Sequence, residues 1–141
     1  MGNRATKKPP LKDFVDLEVW QAARELRREV YKLALALPDF EKFALASQLR
    51  RAATSVTANI AEGYGCFDDQ ENVRFCRQAR GSLYELRDYL MTCKDQGYQT
   101  ASRAEKLDAM AQRVVKILNG YMRSTRTQLN PGARFQGSQA L

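Results

Sequence analysis

The sequence predicts an all-α protein, an antiparallel up-down-up-down four-helix bundle, and three observations carry that expectation. Four segments place apolar residues at alternating steps of three and four, the period of a helix with one buried face. No stretch shows the two-residue alternation of a half-buried strand. The connections between segments are short, so successive helices should return beside one another.

The first helix is expected over about 17–36, with Val19, Ala23, Leu26, Val30 and Leu33 on its seam and Leu37 just beyond. Asp16 is its expected N-cap, with Val15 and Trp20 placed as a hydrophobic staple. Pro38 closes it, because the residue before a proline is pushed out of helical geometry. The second helix is expected over about 40–62, capped by Asp39 and seamed by Ala46, Leu49, Ala53, Val56 and Ile60. Gly63 is the candidate left-handed residue that ends it.

After the linker at 64–67, a third helix starts near Asp69, with Asp68 and Glu71 spaced as a capping box. Its seam is Cys76, Ala79, Leu83, Leu86, Leu90 and Cys93, and Gly97 ends it. Ser102-Arg103-Ala104-Glu105 offers a second capping box for a fourth helix, which runs through Leu107, Met110, Val114, Ile117 and Tyr121. Residues 13–129 are thus one bundle domain. A basic N-terminal tail (1–12) and an aperiodic C-terminal tail (130–141) flank it, both expected to be flexible.

Composition bounds the function. A chain of 141 residues, 44% hydrophobic and 28% charged, fits one soluble globular domain with a single core. No apolar run approaches the roughly 18 residues that cross a bilayer. The basic N-terminus has no apolar stretch behind it, so no secretory signal is read there and a cytoplasmic location is expected. Cys66, Cys76 and Cys93 show no CxxC pairing, which argues against a disulfide framework or a zinc site. The formal charge of +7 resembles a nucleic-acid footprint until it is located. All 16 acids lie within 13–121, where basic residues balance them. The surplus is Arg4, Lys7, Lys8 and Lys12 at one end and Arg123, Arg126 and Arg134 at the other.

Much chemistry is missing from the sequence. It has no histidine, which removes Ser-His and Cys-His pairs and the Glu-x-x-His ligands of di-iron bundles. It has neither GxGxxG nor GxxxxGK[ST]. Glu18, Glu25 and Glu29 read as a solvated face of the first helix. No catalysis, cofactor, metal or small-molecule substrate is expected.

Two constellations are candidates for function. On the second helix the stripe Gln48, Ala52, Ser55, Asn59 and Glu62, ending at Gly63, is small or polar and suits close helix contact, either for assembly or simply to knit the second and third helices together. Glu62 falls near a helix C-terminus, where the macrodipole disfavours an anion, so Arg74 or Arg77 is expected to compensate it. On the third helix Arg74, Arg77, Arg80, Tyr84 and Arg87 form a basic sector with an interleaved aromatic, which Arg50 and Arg51 could extend. Such a sector suits phosphate contact and base stacking, and equally suits structural ion pairs. Ala111, Val115, Leu118 and Met122 widen the apolar face of the fourth helix to about 160°. Trp20 and Tyr31 flank the seam of the first, and this surplus suggests self-association.

Several strings occur in a family-like order: Phe14-x-x-Leu17-x-Val19-Trp20, Leu37-Pro38-x-x-Glu41-x-Phe43, Gln48-x-Arg50-Arg51-Ala52-Ala53, Ser55-x-x-x-Asn59-Ile60-Ala61-Glu62-Gly63 and Ala79-Arg80-Gly81-Ser82-x-x-Glu85-Leu86. Together they resemble the four-helix-bundle proteins encoded in intervening sequences of bacterial 23S ribosomal RNA genes. The resemblance implies a ring-like homopentamer. It also implies similarity to the accessory variability protein of diversity-generating retroelements, which partners a reverse transcriptase and binds nucleic acid. RNA or an RNA-associated protein is therefore the expected partner, with Lys7 and Lys8 of the tail as further contacts. The alternative is an adaptor that binds only protein, its arginines serving subunit interfaces.

Overall fold

The structure is a computed structural model in which residues 10–129 are described. Four helices follow one another: α1 (Glu18–Ala36), α2 (Leu45–Tyr64), α3 (Asp69–Asp95) and α4 (Ala101–Leu129). Short 3-10 turns at Phe14–Asp16 and Asp39–Glu41 precede α1 and α2, and there is no strand among the described residues. Each helix packs on its sequence neighbours, and α1 closes the ring against α4. The antiparallel bundle expected from the periodicity is therefore what forms.

The expected seams of α1, α2 and α3 are all buried, with Leu26, Val30, Leu49, Ile60, Leu83 and Leu86 at 1% exposure or less. The seam of α4 is turned. Ala104, Leu107, Ala111, Val114, Val115, Leu118 and Met122 are its buried apolar residues, while Met110, Ile117 and Tyr121 pack at the margin. The wide apolar face of α4 and Trp20 of α1 are thus buried inside one chain, whereas Tyr31 stays exposed.

Helix ends differ from the sequence reading in instructive ways. Asp16 does not cap α1. Its carboxylate accepts from the Lys12 and Asp13 backbone N–H groups, closing a capping box with Asp13 around the 3-10 turn. The staple is also different: Phe14 meets Trp20 edge-on at 5.2 Å, while Val15 faces solvent. α2 starts at Leu45 rather than 40, because Ala44 adopts a non-helical backbone and separates it from the turn at Asp39–Glu41. Asp39 caps nothing there, and Glu41 Oε1 instead accepts from Leu45 N–H.

Asp68 caps α3 as expected, accepting from Gln70 N–H at 2.9 Å, but Glu71 turns to Arg74. The cap of α4 lies two residues before Ser102, at Thr100, whose Oγ1 accepts from Arg103 N–H, so α4 opens at Ala101. Gly97 does end α3, at φ 74°, with Tyr98 N–H returning to Cys93 O and Gly97 N–H to Lys94 O, a Schellman closure.

Gly63 is the largest departure. It is helical and buried, and α2 continues to Tyr64. A Cβ on Gly63 would lie 2.5 Å from Asn72 Oδ1 and 3.1 Å from Phe75 Cβ, so its role is close approach of α3 rather than a left-handed turn. Gly81, in the middle of α3, has nothing within 4 Å of a built Cβ. The two glycines should therefore respond oppositely to alanine. Urea unfolding should show Gly63→Ala destabilised by about 1–3 kcal/mol through overpacking. Gly81→Ala should gain roughly 0.5–1 kcal/mol from restored helix propensity.

Candidate interaction surface

The polar stripe of α2 faces α3. Ser55 Oγ and Ser82 Oγ are 2.8 Å apart, and Asn59 Nδ2 donates to both the Ser55 carbonyl (2.9 Å) and Ser55 Oγ (3.1 Å). Ala52 is buried, whereas Gln48 and Glu62 at the ends of the stripe are exposed. Through Ser55 and Ser82 the stripe joins α2 to α3 within one chain. Beyond it, Asn72 sits against Gly63 and donates from Nδ2 to the Tyr121 hydroxyl at 3.1 Å, tying α3 to α4. Burial pushes the Tyr121 phenol above its ordinary value.

Among the described residues Glu62 forms no ion pair with Arg74 or Arg77, although its charge acts on the Arg74 guanidinium. Arg74 turns its Nε to Glu71, at 2.8 Å, and its guanidinium lies 4.6 Å from the Phe75 ring centre. Arg77 projects into solvent and forms no ion pair among the described residues. Because α2 runs on to Tyr64 and Glu62 is exposed, water screens the unfavourable dipole.

The arginine sector of α3 splits in two. Arg80 Nη1 donates to Asn119 Oδ1 at 2.8 Å, and Arg87 grips Asp108 through Nε (2.8 Å) and Nη2 (3.3 Å). Both partners belong to α4, so these two arginines bolt α3 to α4. The Arg87 hydrogen bond holds the Asp108 carboxyl below its ordinary 3.8, with Gln112 adding a second bond. The same bond raises Arg87, whose guanidinium also lies 5.3 Å from the Tyr84 ring centre. Arg74, Arg77 and Tyr84 remain exposed on the outer side of α3. On α2, Arg50 reaches only the Lys42 carbonyl, at 3.4 Å, and Arg51 is exposed. Lys7 and Lys8, and the tail at 130–141, lie outside the described residues.

Other contacts gave no signal in the linear pattern. Glu29, assigned to a solvated face, bridges Lys32 on its own helix and Arg103 on α4, and the Lys32 bond leads in holding its carboxyl low. Arg27 Nη1 donates to Thr57 Oγ1 at 2.8 Å, and the Tyr98 hydroxyl donates to Glu41. Leu35, Phe40 and Phe43 stand 85%, 77% and 87% exposed at the corner where α1 passes to α2. The corner exists because residues 40–44 lie outside α2. Among the described residues no three His, Cys, Asp or Glu side chains are grouped to hold a metal, and no helix is long and apolar enough to cross a membrane.

The fold is a four-helix bundle in which polar contacts join each pair of neighbouring helices. The chain belongs to the 23S rRNA-intervening sequence protein family, which it matches over residues 15–120. It is similar to a crystal structure of a protein of unknown function from the S23 ribosomal protein family of Bacteroides thetaiotaomicron. The TM-score is 0.69 at 21% identity, over 74% of this chain and 97% of that one. Among curated proteins none matches the chain.

Two measurements test this geometry. In a double-mutant cycle, Arg87→Ala and Asp108→Asn should show a coupling of about 1 kcal/mol at neutral pH. Asp108 titrates below its ordinary value when folded. The pair's contribution is therefore present above 3.8 and is lost as pH falls through that lower value. The gap between wild type and either variant should accordingly close on acidification. Thiol labelling gives a second check, because burial pushes Cys76 up to about 12 and Cys93 to about 11. At pH 8 a disulfide reagent should titrate Cys66 quickly and the other two only on unfolding.

Proposed function

We propose that this protein is a non-enzymatic, homo-oligomeric scaffold, a ring-like homopentamer of the kind its family resemblance implies, acting in the cytoplasm. The observation that carries the reading is the corner formed by Leu35, Phe40 and Phe43. Three large apolar side chains remain outside a core that is already closed, and such groups find cover in contacts between molecules. The ionisable groups with shifted pKa values fit structural roles. The shifted carboxylates of Glu29, Glu71 and Asp108 are all lowered by bonded cations, and the shifted thiols are raised by burial.

A second reading, contact with RNA or an RNA-associated protein, is favoured by one observation. Among the described residues Arg51 and Arg77 have no acidic partner, and Arg50 reaches only a backbone carbonyl. With Arg80 and Arg87 committed to α4, any phosphate contact falls to these residues, Arg74 and the basic tails, and should weaken steeply with salt. The adaptor that binds only protein keeps the same scaffold without that contact.

Sedimentation of the 16.0 kDa chain should give an oligomer, and Phe40→Ser with Phe43→Ser should shift it toward smaller species without changing helix content. A monomer at every working concentration would overturn the scaffold reading. RNA copurifying from native cells, lost on Arg50→Ala with Arg51→Ala or on tail removal, would establish the second reading. Clean protein with no bound RNA would leave the adaptor.

A further inference from the structure

Two exposed stripes on diagonal corners of the bundle share one spacing and carry opposite charge. On α1, Glu18, Gln21, Glu25, Arg28, Lys32 and Leu35 follow at alternating steps of three and four, and all are exposed. On α3, Arg74, Arg77, Gly81, Tyr84, Asp88 and Met91 follow at the same steps, again all exposed, with Glu85 beside Tyr84. Taken from N- to C-terminus, the α1 stripe is acidic, then basic, then apolar. The α3 stripe is basic, then acidic, then apolar. Alternating steps of three and four are the seam of two helices lying side by side at a shallow angle.

A single copy cannot use this match. α1 and α3 run parallel, but each packs on α2 and α4, so they stand diagonally across the bundle. Within the chain the stripes make only local pairs, Arg28 with Glu25, Lys32 with Glu29 and Arg74 with Glu71, each three residues apart. Such surface pairs are worth little and exchange readily. Arg77 and Asp88 form no ion pair among the described residues. On α3 the like charges Arg74 and Arg77, and again Glu85 and Asp88, repel at a three-residue step. An open groove lined by Glu25, Arg28, Tyr31 and Lys32 runs along the α1 stripe, and the Tyr84 ring stands half-exposed on α3.

We propose that the α1 stripe of one copy packs parallel against the α3 stripe of the next, with Leu35 level with Met91. In that register Arg28 reaches Glu85 and Asp88 of the next copy, Lys32 also reaches Asp88, and Glu25 meets Arg77. Gly81, with nothing within 4 Å of a built Cβ, leaves room for the Arg28 stem. Tyr84 enters the α1 groove beside Arg28, and Leu35 of the exposed apolar corner closes on Met91.

A closed ring requires neighbouring copies to stand at equal height, and this register meets that condition. Across α2, the Tyr31–Thr54 and Ser55–Ser82 contacts set Arg28 level with about Arg80 of its own chain. Across α4, the Glu29–Arg103 and Arg87–Asp108 pairs set it level with about Met91. The proposed register places Arg28 beside Tyr84, between those two. At 100° per residue neither stripe lies diametrically opposite its buried seam, and the two depart in opposite rotational senses. On parallel helices at diagonal corners both therefore lean toward the same side, so repetition curves the array and lets it close. The contact joins unlike faces, so it sets no parity on the number of copies, and a ring of five satisfies it. Arg74 and Arg77 are then taken up between copies, and any phosphate contact falls to Arg50, Arg51 and the basic tails. This inference rests on the homo-oligomer reading and supplies the two faces of its contact.

Sedimentation equilibrium and site-directed cross-linking test the contact. Lys32→Asp and Asp88→Lys should each raise the concentration of half-dissociation by about tenfold or more, and the two combined in one chain should restore assembly. Circular dichroism should show helix content unchanged in all three. In a Cys66→Ser background, Leu35→Cys combined with Met91→Cys should give, with a short bis-maleimide linker, a ladder of products that ends at the full ring. Either single variant alone should stay unlinked on a denaturing gel, and an equal mixture of the two should yield dimers and nothing larger. Linking by Leu35→Cys alone would mean a two-fold contact and overturn the proposal. So would an assembly indifferent to both charge reversals. Either result leaves the scaffold reading standing, whereas a wild type that is monomeric at every working concentration would overturn both.

Discussion

The close approach of α3 to α2 is the constraint on which the rest of the bundle depends. Gly63 lets the Asn72 side chain lie where a Cβ would otherwise stand, and Ser55 and Ser82 then meet hydroxyl to hydroxyl across the same interface. With α3 drawn in at this end, Asn72 reaches the Tyr121 hydroxyl and α4 is located in turn. Arg80 and Arg87 extend the attachment along α4 through Asn119 and Asp108. Glu29 and Arg103 return it to α1 and close the ring. Around the apolar core runs a chain of polar contacts, each satisfied by a residue on the next helix.

That arrangement changes what the arginines mean. A basic sector on a helix looks like an anion site when viewed along the sequence. In the bundle, two of its members are turned inward by partners on α4, and their planar forks are occupied by a carboxylate and an amide oxygen. Those left on the outside are interleaved with acids and with a glycine. The outer face of α3 is therefore one of mixed rather than uniform charge. The exposed apolar corner between α1 and α2 lies outside the core.

Much of the fold was legible in the linear pattern. Periodicity placed the buried faces of α1, α2 and α3, and Pro38, Asp68 and Gly97 marked boundaries by local rules of backbone geometry. Prediction failed where two rules of similar strength competed. Asp16 had backbone donors on either side and took those of the 3-10 turn. Thr100 and Ser102 both had hydroxyls suited to a cap, and a two-residue shift decided between them. Gly63 could end a helix or admit a neighbour, and only the position of Asn72 chose.

The sequence by itself determined that this chain is a four-helix bundle and a member of its family, because helical period and short connections depend on local spacing alone. The tertiary structure decided which charges are spent and which are free. Asn119, Asp108 and Tyr121 come from distant parts of the chain, and the facing side of α4 depends on how the whole ring closes. No local pattern encodes that rotation, since it is set by the joint packing of all four buried faces.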